Sequence, residues 1–207
     1  DLGRANLAGA NLAGADLRTC TLSGASLSGA DLRGARIEKQ NLPGQDFTAA
    51  KLAGATLRKC LLEGLIAEGA DFTGCDLTDA TLDRARLSRA VLTGITAREA
   101  SFAGADLRQA QLAHIVAPAA NFRGAQLDGA NAEQGIFTDA SFASVVWRKG
   151  KADGAELSRC RFVRADLRGT SFRRAKAPYV NLSHATLDLA DFADADLTQA
   201  NLHRASQ

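Results

Sequence analysis

Ala5-Asn6-Leu7-Ala8-Gly9-Ala10-Asn11-Leu12-Ala13-Gly14 is one five-residue unit written twice, and the phase it sets is never lost afterwards. From Leu2 to Leu202 every fifth residue falls in one register. Of those 41 positions, 34 are Leu, Ile or Phe, one is Trp147, and six are Ala, at 67, 97, 117, 132, 152 and 177. All nine Phe lie in this register. Two residues before it runs a smaller set, Ala at 27 of the 41 positions from 5 to 205, with all four Cys among the exceptions. The residue between is mostly Asp, Asn, Ser or Thr, and the two that follow are mostly polar residues, Gly or Ala, the second holding 16 of the 19 Gly. A period of five fits neither a straight helix, period about 3.6, nor a strand, period about 2. The unit is therefore a short extended side closed by a turn, with its large and small apolar positions facing inward.

Repeated sides make a coil, and charge tells how many sides it has. If four units close one turn, residues 20 apart sit one strand spacing from each other, roughly 4.8 Å, where opposite charges are favoured. Charged pairs 20 apart are opposite in sign fifteen times and alike five times, as in Arg18/Glu38/Arg58, Asp31/Lys51/Asp71 and Glu156/Lys176/Asp196. At spacings of 15 and 25 the preference disappears. This selects an all-β, four-sided parallel coil stacked about ten times, a rod near ~50 Å long spanning residues 1–207 as one unit. Volume compensation agrees with the inward assignment: Leu65 precedes Ala67, Ile95 precedes Ala97 and Ile115 precedes Ala117, each large residue at a small site matched by a small one at a large site. Ala132 and Ala152 lack such a partner, and Trp147 is expected to fill their space.

The units Ala5-Asn6-Leu7-Ala8-Gly9, Ala15-Asp16-Leu17, Ala30-Asp31-Leu32-Arg33-Gly34, Ala105-Asp106-Leu107 and Ala165-Asp166-Leu167-Arg168-Gly169 resemble those of the pentapeptide-repeat family. The resemblance covers essentially the whole chain. It implies a right-handed quadrilateral β-helix with Leu or Phe stacked centrally and Ala or Cys beside it. It also implies non-enzymatic roles: the best understood members imitate DNA and bind gyrase, and others are domains of larger bacterial proteins. Fold alone does not fix which.

Composition narrows the classes further. A formal net charge of +2 announces no polyanionic partner, and no run approaches the length of a membrane span. With no Met, the chain reads as part of a longer product, whose uncapped coil ends are expected to be covered by a second copy or by the rest of that protein. Cys20, Cys60, Cys75 and Cys160 occupy the small inward site as compact apolar residues, which fits a reducing compartment, the cytoplasm, and leaves secretion of the intact protein open. His184 and His203 fall near each other, but nothing completes a metal set. No catalytic residue, cofactor or small-molecule substrate is indicated, because a convex rod offers no pocket that excludes water.

Three patches remain as candidates for contact with a protein. Glu63, Glu68, Asp71, Asp76, Asp79 and Asp83 form an acidic stretch without a base, the only material for a DNA-mimicking track. Arg148, Lys149, Lys151, Arg168, Arg173 and Arg174 form a basic one, with the competing reading that Asp128, Asp153, Asp188 and Asp194 neutralise Arg148, Arg173, Arg168 and Arg174 from one coil away. Val116 and Ile136 stack where Asp or Asn is usual, beside Pro118, and can form an apolar contact strip. Nucleic acid is disfavoured, since Tyr179 is the only aromatic outside the core register. The sequence thus reads as a rigid scaffold for protein binding or spacing, with gyrase mimicry as the alternative.

Overall fold

In the computed structural model, which describes residues 1–206, all units but those of Leu2 and Leu22 contribute one bridging residue to a parallel ladder whose partner lies 20 residues on, from Asn6↔Ser26 to Thr186↔Ser206. One residue per side is too short for a conventional strand, so the ladders are columns of single bridges. Four units close each coil of a right-handed quadrilateral β-helix, and the 206 described residues at twenty per coil make about ten coils. We number the sides by their central residues: side 1 through Leu2 and Leu22, side 2 through Leu7 and Leu27, side 3 through Leu12 and Leu32, side 4 through Leu17 and Ile37.

The unit's composition follows from its hydrogen bonds. The central residue donates its N–H to a carbonyl 19 residues ahead (Leu7 to Ser26, 2.9 Å), and the residue before it donates 21 residues back (Ser26 to Ala5, 2.9 Å). The central carbonyl accepts the N–H three residues on (Ala10 to Leu7, 3.0 Å), closing a turn whose third residue takes a positive φ, as in a type II turn. Sixteen of those third residues are Gly and 24 are not. The amide after the central residue has no backbone acceptor, and the Asn or Asp before it supplies one, as when Ala8 donates to Asn6 Oδ1 and Arg33 to Asp31 Oδ1, both at 3.2 Å. That need explains the polar residue in the middle of the repeat.

Inside, the large column is filled without gaps. Phe72, Phe122 and Phe162 are buried, as are Leu65 with Ala67, Ile95 with Ala97 and Ile115 with Ala117. On side 1, Phe102, Phe122, Phe142 and Phe162 stack nearly parallel with centroids 5.0, 4.9 and 4.7 Å apart. Trp147 is fully buried, its indole N–H donating to the Ala130 carbonyl at 3.3 Å, and it lies over Gly150. Ala132 and Ala152, beside which it is expected to pack, are buried as well. The buried thiols and the one Thr of the small column share a pattern: each donates to the carbonyl 23 residues back, Cys60 to Ile37, Cys75 to Leu52, Cys160 to Phe137 and Thr170 to Trp147.

The ladder has one open seam. Bridges between Thr21 and Asn41 and between Ser26 and Asp46 are missing among the described residues, and the N–H groups of Leu22, Gly24 and Leu27 do not reach the carbonyls of Asn41, Pro43 and Asp46. Three residues account for it. Thr19 is the one turn residue at its register without a positive φ, and it is also the one β-branched residue there, a side chain that disfavours the left-handed region. Gln40 and Gln45 stand where Ala is usual. The Gln45 amide takes the Ala25 carbonyl at 3.1 Å that the Asp46 N–H would otherwise bond, while Gln40 reaches Leu17 and Arg18 carbonyls at 3.4 and 3.3 Å. A cleft of about 520 Å³ opens there, between residues 23–26 and 42–46.

Candidate interaction surface

Each outward side chain belongs to a column fixed by the twenty-residue coil, so the sequence candidates can be placed side by side. The six acids do not share a face. Glu63 and Asp83 lie on side 1, Glu68 on side 2, Asp71 on side 3, Asp76 and Asp79 on side 4. Most are also engaged: Glu63 with Arg84 at 3.1 Å, Glu68 with Arg86 at 2.5 Å, Asp76 with Arg58 at 3.5 Å and Asp79 with Lys59 at 3.9 Å. Asp71 accepts the Thr73 N–H and hydroxyl, and Asp83 accepts the Ser101 hydroxyl and the Ala103 N–H.

The basic candidates divide. Arg148 holds Asp128 at 2.6 Å, the one of the four expected Arg–Asp partnerships that the side chains form directly. Arg168 turns instead to Asp166, two residues away, at 2.7 Å, because in an Asp-Leu-Arg unit both polar side chains leave the same side together. Arg173 bonds Asp153 through its backbone N–H, at 3.0 Å, and sends its guanidinium to Asp191 at 3.2 Å. Lys151 meets Glu133 at 3.7 Å. Lys149 and Arg174 have no carboxylate within ion-pair distance among the described residues. Hydrogen bonds from Arg148 and Arg159 hold the Asp128 and Asp139 carboxyls below the usual carboxylate range. Both acids are therefore ionised wherever the protein is handled, and these cations are neutralised locally.

Val116 and Ile136 pair in the side 4 ladder, with Ile136 exposed and Val116 half-buried. Other outward apolar side chains, Leu61 among them, are scattered over the rod.

Sequence reasoning passed over a different group. On side 1, Arg123, Arg161, Arg164 and Arg204 are all exposed, and none has a carboxylate within ion-pair distance among the described residues. Only Arg161 and Arg164 are close neighbours in the chain, so a scan for runs of charge misses the set. Writing the sequence in rows of twenty exposes them as one face.

His184 and His203 approach edge to face, ring centroids 5.7 Å apart, and among the described residues no group of three or more His, Cys, Asp or Glu can hold a metal. A groove of about 540 Å³ is lined by Glu68, Gly69, Ser88, Arg89, Arg108 and Gln109 and brings no nucleophile to a base. No helix of the described residues is long and apolar enough to cross a membrane.

The four thiols are free, three of them buried and Cys20 half-exposed. Burial pushes Cys60 up to about 11 and Cys75 and Cys160 up to about 12. In native protein at pH 8, a chromogenic disulfide reagent should therefore find one fast thiol, Cys20, and release the other three only on unfolding; two or more fast thiols would contradict the inward placement.

No curated protein matches the chain by sequence. Among solved structures, HetL from the cyanobacterium Nostoc sp. strain PCC 7120, a pentapeptide repeat protein involved in heterocyst differentiation regulation, is 29% identical. The alignment covers 99% of this chain and 89% of HetL with a TM-score of 0.87. A trypsin-treated form of QnrB1, a plasmid-mediated fluoroquinolone resistance protein, is 23% identical over 83% of this chain and 78% of its own, with a TM-score of 0.36, too low for a comparison of surfaces. Eight copies of the pentapeptide-repeat family model match residues 1–38, 61–94, 98–131, 120–146, 140–176 and 179–206, breaking off over the segment that carries Gln40 and Gln45. With the five-residue unit, the four-sided stack and these matches in agreement, the chain belongs to the pentapeptide-repeat family.

Proposed function

We propose that this protein is a non-enzymatic β-helical scaffold that works by binding another protein. One observation carries the reading: the interior is occupied by the protein's own side chains, from Leu17 to Leu187, and the grooves described among residues 1–206 lie open on the outside of the ladders rather than holding a substrate away from water. What the rod offers a partner is a stiff face with side chains at fixed heights. HetL, matched over the same length, is described by a regulatory role, which suits binding rather than turnover.

The DNA-mimicking alternative requires a continuous run of free carboxylates on one face. Here the six acids are dealt out to four sides and mostly bonded to neighbours. Supercoiling by gyrase, with and without a quinolone, is therefore expected to be unchanged by the purified chain. The binding role is tested by immobilising the rod, passing extract of its source organism over it, and rebuilding any complex from purified components. A complex of fixed stoichiometry supports the proposal, and the absence of any reconstituted complex, or turnover of a small molecule that a point mutation abolishes, overturns it.

A further inference from the structure

We propose that the upper half of side 1, from Ser101 to Arg204, docks an acidic peptide segment of a protein partner; this rests on the binding role above and specifies the chemistry of what is bound. Residues 100–104, 120–124, 140–144, 160–164, 180–184 and 200–204 make up this face, and none is Asp or Glu. The other three sides of the same coils all carry acids, Asp106, Asp128 and Asp166 on side 2, Glu133 and Asp153 on side 3, Asp139 and Glu156 on side 4. There Arg148, Arg159, Arg168, Arg173 and Lys176 each have a carboxylate within 3.2 Å. Lys149 on side 2 and Arg174 on side 3 also lack a carboxylate within ion-pair distance among the described residues, but side 1 is the one face of these coils on which every Arg lacks one.

Those cations are arranged around a depression. Arg123, Arg161, Arg164 and His184 surround a groove of about 450 Å³ whose wall includes Ala143 and Val163. Arg164, His184 and Arg204 occupy one column on successive coils, roughly 4.8 Å apart, and Arg123 stands two coils below Val163, roughly 9.6 Å. Like charges gathered this closely repel one another, and a face with no task would have been relieved by a single Asp in the column. Every cation of fixed charge here is Arg, whose planar fork suits two-point bonding to a carboxylate.

The occupant follows from what else the face holds and lacks. Carboxylates on one side of an extended chain recur roughly every 6.6 to 7 Å, within reach of long Arg side chains set 4.8 to 9.6 Å apart. Val163 and Ala143 provide an apolar floor for a residue between two acids. No Phe, Tyr or Trp stands on the outside of side 1, and its two imidazoles, His184 and His203, meet each other edge to face, so unstacked nucleobases find no extended platform.

The probe is a fluorescein-labelled dodecapeptide of alternating Glu, Asp and Val, with a fluorescein-labelled oligothymidylate of equal charge beside it, read by anisotropy at low and physiological salt. Wild type is expected to bind the peptide in a salt-sensitive manner and more tightly than the oligonucleotide. R161E/R164E should weaken it more than tenfold. R89E/R98E, which makes the same change in net charge on sides 2 and 4, should alter it less than twofold, with all three proteins melting alike. Equal weakening by both double variants, tighter binding of the oligonucleotide, or no binding of the peptide overturns the proposal. Should a reconstituted partner complex survive R161E/R164E, the scaffold role stands and only this placement falls.

Discussion

Replacing Gly150 by Ala, a single methyl group, should destabilise the middle coils by about 3 kcal/mol, the upper end of what overpacking a core ordinarily costs. Gly150 belongs to the small inward column, and its φ is not one of the positive ones, so Ala brings no backbone strain of its own. The obstacle is the ring. A Cβ at this position would lie 2.0 Å from Trp147 Nε1, 2.3 Å from its Cδ1 and 2.9 Å from the Ala130 carbonyl oxygen. The indole cannot retreat, since Phe142 and Phe172 stand against it with centroids at 5.8 Å. Shortening Trp147 to Leu, the commonest residue of its register, should relieve the clash, so that G150A costs little in a W147L background. Urea midpoints of the two singles and the double close the cycle. A G150A midpoint equal to wild type, or a double variant weaker than the sum of the singles, would remove Trp147 from the place assigned to it.

The second large effect is expected at Phe142. Its ring lies between Phe122 and Phe162 at 4.9 and 4.7 Å and meets Phe137 and Trp147 at 5.3 and 5.8 Å. Truncating a buried Phe to Ala typically costs about 3 to 5 kcal/mol through lost burial and the void left behind. Phe72 is buried equally but has no aromatic ring stacked against it. Ring–ring contacts contribute roughly 0.5 to 1.5 kcal/mol each beyond area, so with four of them even the low end makes F142A exceed F72A by about 2 kcal/mol. In a stack where each coil touches only its neighbours, the loss should appear as a lower midpoint for the coils around residue 142. Parity between F142A and F72A would mean that the column is held by volume alone.

Much of this was legible because a five-residue unit carries its own grammar. The period, the inward pair and the coil of twenty follow from counting, and the register alone places Trp147 inside. Charge was harder. Opposite signs 20 apart identified the coil correctly, yet Arg168 bonded within its own unit and Arg173 reached 18 residues on, because long flexible side chains choose among several carboxylates at similar distance. A one-dimensional spacing cannot rank those choices. The side 1 arginines were hidden for the opposite reason: their meaning lies in what is missing around them, and absence becomes visible only once the faces are assembled. Thr19, Gln40 and Gln45 were in plain view as departures from the register. What they do together, opening a ladder rather than merely decorating it, depends on a turn dihedral that composition does not report.

That opened ladder gives the rod a mechanical grain. Elsewhere, drawing two coils apart means breaking backbone bonds on every side at once, whereas between residues 21–27 and 41–46 several of those bonds are already undone and glutamine amides span the gap. Under tension along its axis the column should part there first, shedding its lowest storeys as one piece while those above keep their shape.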